Sequence, residues 1–232
     1  MHRLVGDNAA KSLNCLFFLE VVLPEQIPWF RRAAWLLVLA SLLGFSLPSV
    51  AAPTLDNGPY VSGPVEAIEF YHAGLDHYFM SMDPQEVGDL DIGVYAGWAR
   101  TGLSFLTYGS AASAVGTSAG PVCRFYIPPQ HGDSHFFSAD PVECVIAANA
   151  IKTNPDFSGY VEETPNAFYI DLPDKSTGVC PANTTPVYRL WNHLAATNHR
   201  YTTSVVAKDQ MITNGWVAEG YGPNAVDMCA PQ

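Results

Sequence analysis

Three histidines recur in similar local settings: Asp76-His77-Tyr78-Phe79, Ser134-His135-Phe136-Phe137 and Asn198-His199-Arg200-Tyr201. Three imidazoles converging on one point could bind zinc and activate water. The recurrence also has a plainer meaning. A reacting site needs different groups in different roles, whereas one residue type repeated in every copy answers one repeated packing problem. An imidazole can bond a backbone carbonyl in a turn while its ring covers an aromatic. The scaffold role is the expectation for His77, His135 and His199, and neither a metal nor a cofactor is expected.

Other patterns carry less. Gly116-Thr117-Ser118-Ala119-Gly120 has the spacing of a hydrolase nucleophile turn. That chemistry needs a strand before the serine and a helix after it. Here an Ala/Ser/Gly loop precedes Ser118, and Pro121 and an expected strand follow. Glu162-Glu163 and the pair Asp89 and Asp91 are acidic neighbours. Facing carboxylates can run glycosidic acid/base chemistry, but adjacent strand residues point to opposite faces, so these read as solvated charge. Large rings recur at Tyr71, Tyr126 and Trp191, and again at Trp98, Tyr160 and Trp216. Repeated aromatics at strand positions are first of all core, and some of them could stack on a sugar face. Glu219 is expected to buttress a turn or meet a repeat arginine.

The elements that would hold these residues repeat as well. Ala67–Tyr71, Val122–Tyr126 and Val187–Trp191 are aromatic, β-branched segments, with Glu69, Arg124 and Arg189 before the last two apolar residues. Each leads through a polar turn into the histidine segment, which predicts a hairpin. Asp83-Pro84-Gln85-Glu86 and Asp140-Pro141-Val142-Glu143 predict helix starts, with Asp as cap and Pro at the first helical position. Ser204 is the matching cap in the third copy. Gly97-Trp98, Gly159-Tyr160 and Gly215-Trp216 predict a helix stop followed by a strand. Closing strands are expected near Ser104–Leu106 and Ala167–Ile170, with a weaker counterpart at 221–226. Loop-like linkers separate the copies at 109–120 and 171–185. The expected fold is β-rich with short helices, a pseudo-threefold repeat domain of trefoil-like or propeller-like form, over 64–232. Its units cover about 64–108, 121–171 and 185–229.

The 232 residues are 48% hydrophobic and 14% charged, with net charge −11, which excludes a disordered chain and disfavours nucleic-acid partners. Arg31-Arg32, a 15-residue apolar stretch over 33–47, and Ser49-Val50-Ala51 follow the order of a secretory signal. Residues 1–51 therefore read as leader and signal peptide, and 52–63 as linker. The apolar run is short for a membrane span, so no stable anchor is expected after cleavage. The remainder carries four cysteines. Of the three possible pairings we favour Cys123 with Cys144 and Cys180 with Cys229.

The set Tyr188-Arg189-Leu190-Trp191-Asn192, Asn198-His199-Arg200-Tyr201-Thr202 and Gly215-Trp216-Val217-Ala218-Glu219-Gly220 resembles the bacterial repeat family called "domain of unknown function 5648". Asp76-His77-Tyr78-Phe79 and Cys123-Arg124-Phe125-Tyr126 match it in the earlier copies. The resemblance spans about residues 64–229 and departs in copy one, where Arg100-Thr101 replace a Tyr-Glu pair. It implies an exported or surface module, sometimes joined to cell-wall or protein hydrolases, without implying an activity. The sequence as a whole predicts a secreted or periplasmic, non-catalytic module that binds envelope glycan or protein. A metal-dependent or serine hydrolase and a purely structural envelope protein are the alternatives.

Overall fold

A computed structural model describes residues 63–232; the expected leader and all but the last residue of the 52–63 linker lie outside them. Strand accounts for 42% and helix for 21%, so the fold is β-rich with a few short helices, and no barrel closes. Its order is β1 (Pro64–His72), β2 (His77–Ser81), α1 (Pro84–Asp91) and β3 (Trp98–Tyr108); then β4 (Gly120–Ile127), β5 (Ser134–Ser138), α2 (Pro141–Thr153) and β6 (Val161–Ile170); then β7 (Thr184–Trp191), β8 (His199–Thr202), α3 (Val205–Thr213), β9 (Val217–Glu219) and β10 (Val226–Pro231). Strand–strand–helix–strand thus occurs three times in succession.

In each segment the first strand is central, with the second strand on one edge and the closing strand on the other. A single pairing, Tyr108 with Tyr169, joins the first two segments into a six-stranded sheet ordered β2-β1-β3-β6-β4-β5. The third segment forms its own sheet, in which β9 and β10 share one edge of β7. The second strands β2, β5 and β8 touch one another pairwise, and so do the closing strands β3, β6 and β10. The core between them draws on all three segments, including Phe70, Phe137, Phe168, Tyr201 and Met228.

The caps form as the sequence predicts. Asp83 accepts from the amide of Glu86, Asp140 from that of Val142 and Ser204 from that of Ala207. Gly97, Gly159 and Gly215 all take positive φ, +93°, +89° and +95°. Only Gly215 directly follows an α-helix end, however, and Gly159 follows a single 3-10 turn over Pro155–Phe157. Gly97 and Gly159 stand six residues beyond theirs and instead set the entry to the closing strand. Those strands differ from expectation in extent: Trp98 and Phe105 belong to one strand, and Val161 and Phe168 to another. Both favoured disulfides are present, Cys123–Cys144 and Cys180–Cys229. They tie β4 to α2 and β10 to the preceding linker, and the chain-entropy relation gives them about 3 and about 4 kcal/mol.

Candidate binding groove

Register fixes which residues correspond. Ile68 pairs with Ser81, Cys123 with Ser138 and Tyr188 with Thr202, and each of these second-strand residues lies two before a helix cap. Counting back, His135 and His199 correspond to Tyr78, not to His77. His77 corresponds instead to Ser134 and Asn198. The sequence alignment of the histidines is therefore off by one in the first segment, because Asp76-His77 imitates the motif one residue early.

The two sets do different work. His77, Ser134 and Asn198 are buried where the second strands meet. Asn198 accepts from the Tyr78 amide at 2.8 Å and donates to its carbonyl at 2.9 Å, as a strand neighbour would. Ser134 donates to the Thr197 carbonyl at 2.6 Å. Burial lowers the His77 pKa against the carbonyls of Ala196 and Asp133, which favour its proton. His135 and His199 instead stand 3.3 Å from Glu163 and 3.4 Å from Glu219. Among the described residues no group of three or more His, Cys, Asp or Glu is disposed to hold a metal.

Tyr78, His135 and His199 each cover a residue of the neighbouring segment. His135 packs on Phe79 at 4.8 Å, His199 on Phe136 at 5.1 Å, and Tyr78 lies under the Arg200 guanidinium at 4.1 Å. The same three seams carry ion pairs. Arg124 grips Glu86 with two bonds of 2.9 and 2.7 Å. Arg189 grips Glu143 with two of 2.9 and 3.0 Å. At the third seam the polarity reverses, and Arg200 grips Glu69 with two of 2.8 Å. The reversal has a cause in the sequence. Ala207 occupies the place of Glu86 and Glu143 on α3, so an arginine at position 69 would find no carboxylate there.

The departures in the first segment follow from that reversal. Glu163 and Glu219 brace Arg124 and Arg189 at 2.6 and 3.0 Å, whereas the corresponding residue behind Glu69 is Thr101. Glu163 is therefore a paired group rather than the free surface charge expected of it. Burial pushes Glu163 and Glu219 up, but their cationic neighbours outweigh it. Glu163 ends below the usual carboxylate range, and Glu219 is held at about 2.

The repeated aromatics also have structural partners. Tyr71 and Tyr126 donate across their hairpin loops to Asp76 and Asp133 at 2.8 and 2.9 Å, and the Trp191 indole donates to Thr197 at 2.9 Å. Trp98 packs on His72 and Phe79, Tyr160 on His131 and Phe157, and Trp216 on Tyr78. Ser118 donates to the Asp171 carboxylate, and the strand β4 follows it, so the hydrolase turn is not formed.

The seam around Arg189 holds a third carboxylate, Asp227, 3.3 Å from the guanidinium and buried. Burial pushes Asp227 up to about 7 against the pull of Arg189, with Glu143 and Glu219 adding to the rise. Its native pKa thus lies above the unfolded value of about 3.9. The stabilisation it brings is complete below that unfolded value and is lost as pH climbs through 7. Glu219 and Glu143, held below their ordinary values, stabilise above about 4.5 and lose that effect as pH falls. Stability should therefore peak at about pH 4 to 4.5 and fall from there toward pH 7. Asp227→Asn should remove the alkaline limb. It is expected to melt about 3 °C or more above the parent at pH 8, the shift of roughly 1 kcal/mol, and close to it at about pH 4. Identical melting curves at pH 8 would show that Asp227 carries no such burden.

The seams differ most in what lies outside the ion pair. Between α1 and β6 a groove of about 400 Å³ opens, with Asp83, Glu86, Asp89 and Glu163 among its walls and Met80, Phe137 and Phe168 in its floor. Its one cation, Arg124, is engaged by Glu86 and Glu163. At the next seam the chain covers the matching helix cap itself. The interruption between β9 and β10 delivers Tyr221, whose hydroxyl donates to Asp140 at 2.5 Å, and the preceding linker delivers Lys175, 2.7 Å from the same oxygen. Gly178 and Gly222, at φ +72° and +65°, allow these two loops to meet backbone to backbone: a Cβ on Gly222 would lie 2.1 Å from the Thr177 carbonyl. β6 carries only a short bulge between Thr164 and Phe168 at the matching place, and the first seam stays open. Sequence inspection missed this groove, although the unequal lengths of the segments after Gly159 and Gly215 carry the signal.

Comparison with protein-family models, with curated proteins and with solved structures finds no match. Two disulfides suit an oxidising, extracellular compartment, and among the described residues no helix is long and apolar enough to cross a membrane.

Proposed function

We propose that this protein is an exported, non-catalytic module of the cell envelope, built from three copies of one strand–strand–helix–strand unit closed into a pseudo-threefold ring, which binds an envelope component in the groove between its first two units. The observation that carries this reading is the unequal treatment of matching seams: one is covered by Tyr221 and Lys175, the other is open and walled by polar groups. A few polar groups around an apolar floor are the general form of a ligand site. The secretory-type leader, the two disulfides and the motif likeness to an exported repeat family support the compartment and the repeat. The described histidines all have scaffold neighbours, which favours binding over hydrolysis.

Co-sedimentation of the purified protein with isolated envelope of the producing organism tests this. The wild type should sediment. Gln85→Trp, at an exposed groove-lining position of α1, should fill the groove and weaken retention at least tenfold while leaving the circular dichroism spectrum unchanged. Failure of the wild type to sediment, or equal retention of the variant, would overturn the proposal.

A further inference from the structure

The covered seam shows what the open seam is shaped to receive. At Asp140 one carboxylate oxygen, Oδ1, accepts the helix amide of Val142. The other, Oδ2, receives the Lys175 ammonium and the Tyr221 hydroxyl, and the ammonium also lies 5.4 Å from the centre of the Tyr221 ring. Asp83 is the corresponding cap. Its Oδ1 accepts the amide of Glu86 at 2.8 Å, and no described residue donates to its Oδ2. Ser81 repeats the pattern. Its counterpart Ser138 donates to Glu143 at 2.6 Å, whereas the buried Ser81 hydroxyl accepts from the Asp83 amide and donates to no described residue. Tyr95, 53% exposed, is part of the groove wall and supplies an aromatic ring there.

We infer that the groove takes a lysine-type side chain of an envelope peptide, its primary ammonium on Asp83 Oδ2, its methylenes on Met80 and Phe168, and its charge near the Tyr95 ring. This rests on the groove being the binding site, and it names the occupant. The chain's own Lys175 demonstrates the contact, so the ligand would reproduce in trans what the second seam makes in cis. Charge agrees. Four carboxylates against one engaged guanidinium leave the groove negative, which draws in cations and repels anionic glycans. An ammonium over an aromatic face adds attraction in a partly desolvated site, and an ammonium–carboxylate bond is stronger than a neutral one.

Nuclear magnetic resonance titration with the end-blocked peptide Gly-Ala-Lys-Ala-Gly provides the test. Amides of α1 and of β6 around Phe168 should shift with the peptide. Acetylating the lysine Nε should weaken binding at least tenfold, and so should Asp83→Asn, which keeps a capping side chain at that position. The Asn variant should melt within a few degrees of the parent, which separates loss of the contact from loss of the fold. Equal binding of the acetylated peptide, or unchanged affinity of Asp83→Asn, would overturn the inference. So would binding of N-acetylglucosamine, which carries no cation, in place of the peptide. If the protein sediments with envelope through the groove but ignores the lysine peptide, this inference fails while the proposed function stands. If neither occurs, both fail.

Discussion

Replacing Arg189 with Met is expected to destabilise the protein by about 3–5 kcal/mol, the range for removing one partner of a buried ion pair. The guanidinium bonds Glu143 twice and Glu219 once, stands 3.3 Å from Asp227 and stacks at 5.1 Å on Phe136. Methionine retains some packing but strands three carboxylates around a cavity with no cation. Thermal unfolding should show a fall of roughly 10 °C or more, at 2–4 °C per kcal/mol for a domain of this size. Adding Asp227→Asn should recover part of the loss by removing one stranded charge. Arg124→Met should be milder. Its carboxylates border the groove, where water can reach them, and its side chain is 16% exposed against 5% for Arg189. Equal effects of the two substitutions would contradict this ranking.

The second large effect belongs to the seam between the first and last units. Glu69 and Arg200 lie 131 residues apart in the chain, and both are buried. Arg200 also touches the Met211 sulfur at 3.3 Å and covers the Tyr78 ring. Glu69→Leu leaves that guanidinium buried with sulfur and an aromatic face as its remaining partners, and should again cost about 3–5 kcal/mol. The loss is expected to appear as one cooperative transition at lower temperature, because the core between the units is shared. A native melting temperature in Glu69→Leu would show that the pair is incidental.

Much of this architecture was legible in the residues because local rules agreed with one another along each strand–strand–helix–strand segment. Asp-Pro at two helix starts had one physical solution, and α1 and α2 begin there; Gly before an aromatic marked three strand entries, and the favoured one of three cysteine pairings is the one formed. What misled was a local coincidence. Asp76-His77 resembles the other turn–histidine pairs, but backbone register is set by pairing along a whole strand and by the cap that follows. The ion-pair ring was invisible for a different reason. Glu69 reads as an exception to Arg124 and Arg189 until the Ala207 position and Arg200 are seen beside it, and no short motif links residues 131 apart. The groove is defined by how short the β6 bulge is beside the interruption between β9 and β10, and that difference becomes evident only when two seams are superposed.

A double-mutant cycle on Glu69 and Arg200 tests the closed three-unit ring most directly. Glu69→Leu, Arg200→Leu and the double variant would be compared by denaturant unfolding. The ring requires strong coupling: the double variant should cost less than the sum of the singles by roughly 2 kcal/mol or more, since two apolar side chains can replace a buried pair without leaving a lone charge. Additivity within about 0.5 kcal/mol, the behaviour of distant independent sites, would contradict a contact between the first and last units.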